Sequence, residues 1–321
     1  MHTGAIASLC LALAATPLAA RDILLTTPIL CDLSTECFVQ QYVDHDASDA
    51  AMDYRCAPLS YDTHSGTDFA LTSRAQMRRG VDVRPAAPGT VRGVRDGMVD
   101  EVFSPDQTEA LAGRDCGNGV AIDHGGGWST QYCHLKQGSV SVQPGDRVRL
   151  NTVLGQVGLS GRTQFPHLHM TLRKDGQVVD PFDPDGQITC GAPSEKTLWQ
   201  TPPPYRPGGI LRVGFADAIP DFETVMDGDV TTTLPVTAPT LVLFGYAFGG
   251  RAGDRMQLRI DGPQGPVLDQ TLTLDKDQAQ FFRAAGKKRR GDWRHGTYTG
   301  TVTLIRNGAV LGSEQGTVTI P

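Results

Sequence analysis

Lysine and glutamate are scarce in this chain. Its 321 residues include 6 of each, against 23 Arg and 29 Asp. Lys and Glu are the usual filling of exposed helices, whereas Asp favours turns and caps. The composition therefore leans towards β structure with many loops. No later segment offers 18 uninterrupted apolar residues, so no transmembrane segment is expected. No Cys-x-x-Cys spacing occurs, which excludes a zinc ribbon or a thioredoxin-like site. A net charge of −6 gives no wholesale electrostatic attraction to nucleic acid, and no nucleic-acid partner is expected. With 39% hydrophobic and 20% charged residues, the chain is neither disordered nor a charged solenoid.

What is present begins with Ile6 to Ala20, a short Ala/Leu-rich run followed by Arg21-Asp22. The run is too short to span a bilayer and is expected to be a signal peptide over residues 1–20, cleaved after Ala20. A secreted or periplasmic protein follows. Removing Cys10 with that segment leaves six cysteines, an even number suited to a disulfide framework. Cys116 and Cys133 flank an expected hairpin, and Cys31 and Cys37 close a short loop; these are the preferred pairs.

The length suggests two domains. Thr201-Pro202-Pro203-Pro204-Tyr205-Arg206-Pro207-Gly208-Gly209 stiffens the chain and then releases it, marking a Pro-rich linker over 191–209. Beyond it, β-rich runs at Ile210–Phe215, Thr240–Phe248, Arg255–Ile260, Leu268–Leu274, Gly300–Arg306 and Gly316–Ile320 predict an immunoglobulin-like β-sandwich over 210–321. Asn307-Gly308 is a strong hairpin turn signal between the last two. Before the linker, a Cys-containing segment (21–55) precedes a barrel-sandwich-like β domain (56–190). There Val120–Asp123 and Ser129–Leu135 form extended runs about a Gly-rich turn.

Three elements carry chemistry. His167-Leu168-His169 lies in a strand-like context, where positions i and i+2 share a face, so the two imidazoles can border one metal site. Two His-x-x-x-Asp pairs occur. His45–Asp49 sits among further aspartates and fits a solvated acidic loop, with calcium as an open possibility. His64–Asp68 has Gly66 to bend the chain and an apolar run that anchors Asp68 on a packed strand, the rigid support a ligand needs. Tyr132-Cys133-His134-Leu135 adds a third element, with Tyr132 and His134 expected on one face. Two His and one Asp complete the three protein ligands of a catalytic zinc, leaving the fourth position for water. Two histidines then remain for proton transfer and oxyanion stabilisation.

Taken in order, His64-x-Gly-x-Asp68, Tyr132-x-His134-Leu135 and Pro166-His167-Leu168-His169 resemble the lysostaphin/LytM-type zinc metallopeptidases, which cut peptide cross-links of peptidoglycan. Supporting segments match at Ala86–Val91, Gly117–Val120, Val142–Val148, Gly155–Gly161 and Asp180-Pro181-Phe182, so the likeness covers about residues 56–190. It implies Zn2+ held by His64, Asp68 and His169, catalytic roles for His134 and His167, and peptidoglycan stem peptides as substrate. Phe165 stands where the family commonly has Gly and is expected to narrow or reshape the cleft. Asn151, the Cys-rich segment 31–56 and the insertion Val94–Arg114 also depart from the minimal pattern.

The alternative from another class is a catalytically inactive LytM-like domain that binds cell wall or regulates a partner amidase. Such forms generally lack a ligand, and this sequence lacks none. The C-terminal region offers no catalytic constellation; Lys287-Lys288-Arg289-Arg290 beside Trp293 suggests a possible cell-wall or envelope partner.

Overall fold

The computed structural model describes residues 22–188, 190 and 196–321. The expected signal peptide lies outside the described residues. In chain order the strands and helices are β1 (Cys37–Gln41), β2 (Thr67–Leu71), α1 (Arg74–Arg79), β3 (Asp82–Val83), β4 (Gly89–Arg95), α2 (Thr108–Leu111), β5 (Asn118–Gly125), β6 (Trp128–Leu135), β7 (Arg147–Val148), β8 (Gly155–Gln156), β9 (His167–Lys174) and β10 (Gln177–Val178). They continue with β11 (Gly209–Ala216), α3 (Phe222–Asp227), β12 (Thr240–Gly250), β13 (Arg255–Gly262), β14 (Gly265–Thr273), β15 (Gln278–Lys288), β16 (Gly296–Arg306) and β17 (Ala309–Ile320). The protein is mainly β, as its composition suggests.

The first body is an antiparallel sheet in the order β1-β2-β9-β6-β5-β4-β7, with β10 paired to β9. A two-stranded β3-β8 sheet closes on it. One apolar core joins them, including Phe69 from β2, Val83 from β3, Ile122 from β5, Tyr132 from β6 and Leu168 from β9. All five residues of β2 are buried, the polar Thr67 and Asp68 included, as expected of a strand covered on both faces. Register places Asp68 opposite His169 and Ala70 opposite His167, so the HxxxD and HxH motifs meet by ladder pairing alone.

The two preferred disulfides, Cys31–Cys37 and Cys116–Cys133, are both present, and a third joins Cys56 to Cys190. The segment 22–55 is woven into this body: β1 pairs with β2, and Leu25 and Tyr42 are fully buried in its core. The described part of the stretch expected as linker, 196–209, also packs there. Leu25 bridges to Trp199, and Tyr205 stacks on Tyr42 at 5.4 Å while its hydroxyl donates to Asp53.

The second body is a sandwich of a three-stranded sheet, β11-β12-β15, and a four-stranded sheet, β14-β13-β16-β17. Alternation drives it: in β16, Tyr298, Gly300, Val302 and Leu304 are buried while their neighbours are less so. Leu243, Phe281, Leu258 and Val302 fill the space between the sheets. The hairpin at Asn307-Gly308 forms, with Asn307 at φ 50° and Gly308 at φ 84°. Strand β15 was not expected from the sequence. The two bodies meet at a seam where Phe38 and Phe248 pack at 4.3 Å between ring centroids, with Ala70, Phe165 and Leu211 around them. Among the described residues, no helix is long and apolar enough to cross a membrane.

Candidate metal centre

His64, Asp68 and His169 converge. His64 Nε2 lies 3.2 Å from Asp68 Oδ1 and 3.1 Å from His169 Nδ1, and His169 Nδ1 lies 2.8 Å from Asp68 Oδ1. Ligand atoms about 2.0–2.2 Å from a tetrahedral zinc stand about 3.3–3.6 Å apart. The observed triangle is tighter by a few tenths of an ångström, a distance that small side-chain rotations cover. Among the described residues these three form the one cluster of His, Cys, Asp or Glu groups close enough to share an ion.

The outer partners select the right nitrogens. His64 Nδ1–H donates to Tyr42 O at 2.6 Å, leaving the Nε2 lone pair for a metal. His169 Nε2–H donates to Thr171 Oγ1 at 3.0 Å, leaving Nδ1 free. Such second partners fix tautomer and ring orientation in metal sites. Asp68 is buried, which alone favours the neutral acid; His64 and His167 outweigh that and hold its carboxyl well below the usual range. It is therefore an anion at neutral pH. His64 shows the opposite balance, with burial pushing it down and Asp68 raising it overall. The donor set and its orientation fit a zinc ion.

Gly66 serves this site differently from the bend expected of it. Its φ is not positive; a Cβ there would lie 2.7 Å from the His169 ring and 2.7 Å from Met170 O. Only glycine lets the chain pass under that imidazole.

His134 and His167 stand beside the triangle, their rings 4.7 Å apart. His134 Nδ1–H donates to Ser160 O at 2.8 Å, and His167 Nδ1–H donates to Phe165 O at 2.9 Å. Each presents Nε2 as a proton acceptor, and that of His167 is 3.6 Å from Asp68 Oδ1. Burial, reinforced by His167 and His169, holds His134 well below the ordinary imidazole range. Burial likewise lowers His167, against the pull of Asp68. Both are neutral near pH 7, poised to take a proton.

His134 occupies a left-handed conformation at φ 61°, which costs a non-glycine residue about 1–3 kcal/mol. There the β5–β6 ladder gives way: His134 N–H donates to Cys116 O, across the Cys116–Cys133 disulfide. Tyr132 is fully buried in the core, where its hydroxyl accepts from Ala86 N–H, and it is not part of the site.

Sequence reasoning missed Tyr61. Its ring packs on His64 at 4.5 Å, half-exposed at the edge of the site. Phe165, expected to narrow the cleft, instead packs into the seam with Phe38 and Phe248 and lies 4.7 Å from His167. The acidic run near His45 is folded back on itself: Asp44 accepts from Asp46, Met52 and Thr63 N–H groups, and His45 pairs with buried Asp180 at 2.8 Å.

A mainly β body thus gathers two imidazoles and a carboxylate around one point, with two more histidines alongside, a donor set that suits a metal ion. Residues 76–181 match the family model described as Peptidase family M23, a span that contains His134, His167 and His169 and begins after His64 and Asp68. Over that span the first body is similar to the peptidases of that family.

Similar curated proteins include the DD-carboxypeptidase/endopeptidase Mpg of Neisseria meningitidis, 33% identical over 40% of this chain and 24% of that protein. The peptidoglycan DD-endopeptidase ShyA of Vibrio cholerae is 29% identical over 41% of this chain and 25% of that protein. The matched stretch thus spans about a quarter of each of these relatives. Among solved structures, the SpoIIQ–SpoIIIAH pore-forming complex has a chain 25% identical over 50% of this chain and 90% of that one, with a TM-score of 0.35.

Proposed function

We propose that this protein is an exported, zinc-dependent metalloendopeptidase that hydrolyses peptide cross-links of peptidoglycan. The observation carrying this reading is the triangle of His64 Nε2, Asp68 Oδ1 and His169 Nδ1, with edges of 2.8–3.2 Å, facing two neutral imidazoles. The M23 match and the endopeptidase names of similar proteins support the substrate class. Three disulfides support export to an oxidising compartment. We divide the exported chain into the peptidase body up to residue 190, a connector over 191–209, and an accessory sandwich over 210–321.

His64, Asp68 and His169 hold the metal. Zinc in such a site acts as a Lewis acid and lowers the pKa of a water molecule towards 7. His134 and His167 manage the protons. One accepts a proton at Nε2 from the attacking water and passes it to the leaving amine. That same ring, now protonated, donates from Nε2 to the oxyanion before releasing its proton, a contact worth about 10²–10³ in rate, while the other, neutral, accepts at Nε2 from the attacking water and orients it. The Nδ1 bonds to Ser160 O and Phe165 O hold both rings in the tautomer this requires. Tyr61 forms part of the wall against which a peptide would lie.

The test is mass spectrometry of fragments released from purified sacculi by the full exported chain, with and without chelator. Chelator-sensitive, zinc-restored release of peptide-cleaved fragments is expected, and each fragment identifies its bond. Binding to sacculi without release would favour the inactive wall-binding alternative.

A further inference from the structure

The second body carries a concave site that the hydrolytic chemistry does not use. It lies where the β13–β14 turn faces the loop between β15 and β16, at the sheet edges formed by β14 and β15. Its volume is about 300 Å³, at the lower end for small-molecule sites. Pro263, Pro266 and the half-buried face of Trp293 give it an apolar wall. Lys287, Lys288, Arg290 and Arg294 supply its charge.

Two observations separate this site from an ordinary solvated loop. First, the indole is fixed: Trp293 Nε1–H donates to Ala238 O at 2.8 Å, and its ring meets Tyr298 edge-on at 6.5 Å. Lys287 Nζ donates to Val267 O at 3.3 Å within the lining. Second, the charge is uncompensated. The one acid in the loop, Asp292, pairs with Arg289, while Lys288, Arg290 and Arg294 make no ion pair among the described residues. Residues 287–294 thus hold five cations and one acid in a chain whose net charge is −6.

An immobilised aromatic face suits the apolar face of a pyranose ring, and a cationic rim suits carboxylate or phosphate on that ring. A flat lipid surface would need no cavity. We propose that this pocket binds an acidic glycan, one sugar seated against Trp293 and its anionic substituent held by Lys288, Arg290 and Arg294. The site would place the protein on an anionic polysaccharide independently of any cleavage.

The test is calorimetric titration of the full chain with an oligogalacturonate and, separately, with a neutral chito-oligosaccharide. Saturable binding of the acidic probe only, weakening with salt, is expected. Arg290→Glu with Arg294→Glu should weaken it by about tenfold or more; both side chains are exposed, so the fold is retained. Trp293→Leu should weaken it further, with circular dichroism checking the fold. Lys276→Glu, an exposed charge reversal elsewhere, should leave it unchanged. Equal binding of the neutral probe, equal weakening by Lys276→Glu, or no binding of the acidic probe would overturn the proposal. So would binding to phosphatidylglycerol vesicles alone, which would assign the loop to a lipid surface.

Discussion

His134 and Ser160 form a bond that no residue spacing announces: the imidazole Nδ1–H reaches Ser160 O at 2.8 Å from a backbone held at φ 61°. The Ser160 hydroxyl is itself fixed, accepting from Asn118 N–H and donating to Leu135 O. Strain at one residue is thus offset by a buried network from two loops, and Nε2 is aimed at the metal site in a single tautomer.

A division of labour among the five side chains should be measurable. His64→Ala and Asp68→Ala should lose zinc, read by elemental analysis. His134→Ala and His167→Ala should retain it while turnover on a cell-wall substrate falls by about 10²–10³ or more. Equal zinc loss at His134 would sink the assignment.

Gly66→Ala should act as a metal-site variant without touching a ligand. The added methyl would collide with the His169 ring and Met170 O, both at 2.7 Å, and neither has room to retreat without shifting β9. The expected outcome is zinc loss comparable to His64→Ala. Full zinc occupancy would show that the imidazole has another resting place.

The disulfides should differ in weight. Cys56–Cys190 encloses 134 residues, against 17 for Cys116–Cys133 and 6 for Cys31–Cys37. Loop-closure entropy assigns about 4–5 kcal/mol to the long crosslink and about 3 to the 17-residue one. Replacing Cys56 and Cys190 together by Ala should therefore lower the chemical denaturation midpoint more than replacing Cys116 and Cys133, unless the latter also releases His134.

A pH signature should come from His45 and Asp180. Burial opposes charge on His45, but Asp180 raises it overall above 6.5; burial raises Asp180 despite His45. In both cases the folded state holds its proton more tightly than the unfolded chain. The His45 contribution is fully present below pH 6.5 and is lost as pH rises through its raised value, whereas that of Asp180 is already being lost as pH rises from 3.8. His45→Gln should flatten the fall in melting temperature as pH rises above 6.5, relative to the parent. An unchanged slope would place the titration elsewhere.

The metal-site motifs were legible because a two-residue strand period and an i to i+4 spacing survive folding: HxH and HxxxD meet through the register of β2 with β9. Two disulfides were legible from their short spans. Less so was β15, whose Gln278-Ala279-Gln280 and Ala284-Ala285 lack β-branched residues; pairing with β12 imposes its conformation. Tyr61 and the third disulfide depend on how distant loops fold back, which local pattern does not encode. The placement of 22–55 and 196–207 over the first core is tertiary in the same sense.

The seam has a further consequence. Phe248 reaches across to Phe38, and Phe165 joins them one proline away from His167. A shortened protein ending near residue 207 would carry a bare oily facet next to a reactive imidazole and would tend to self-associate. The halves are better handled as one working part than as a head with a removable tail.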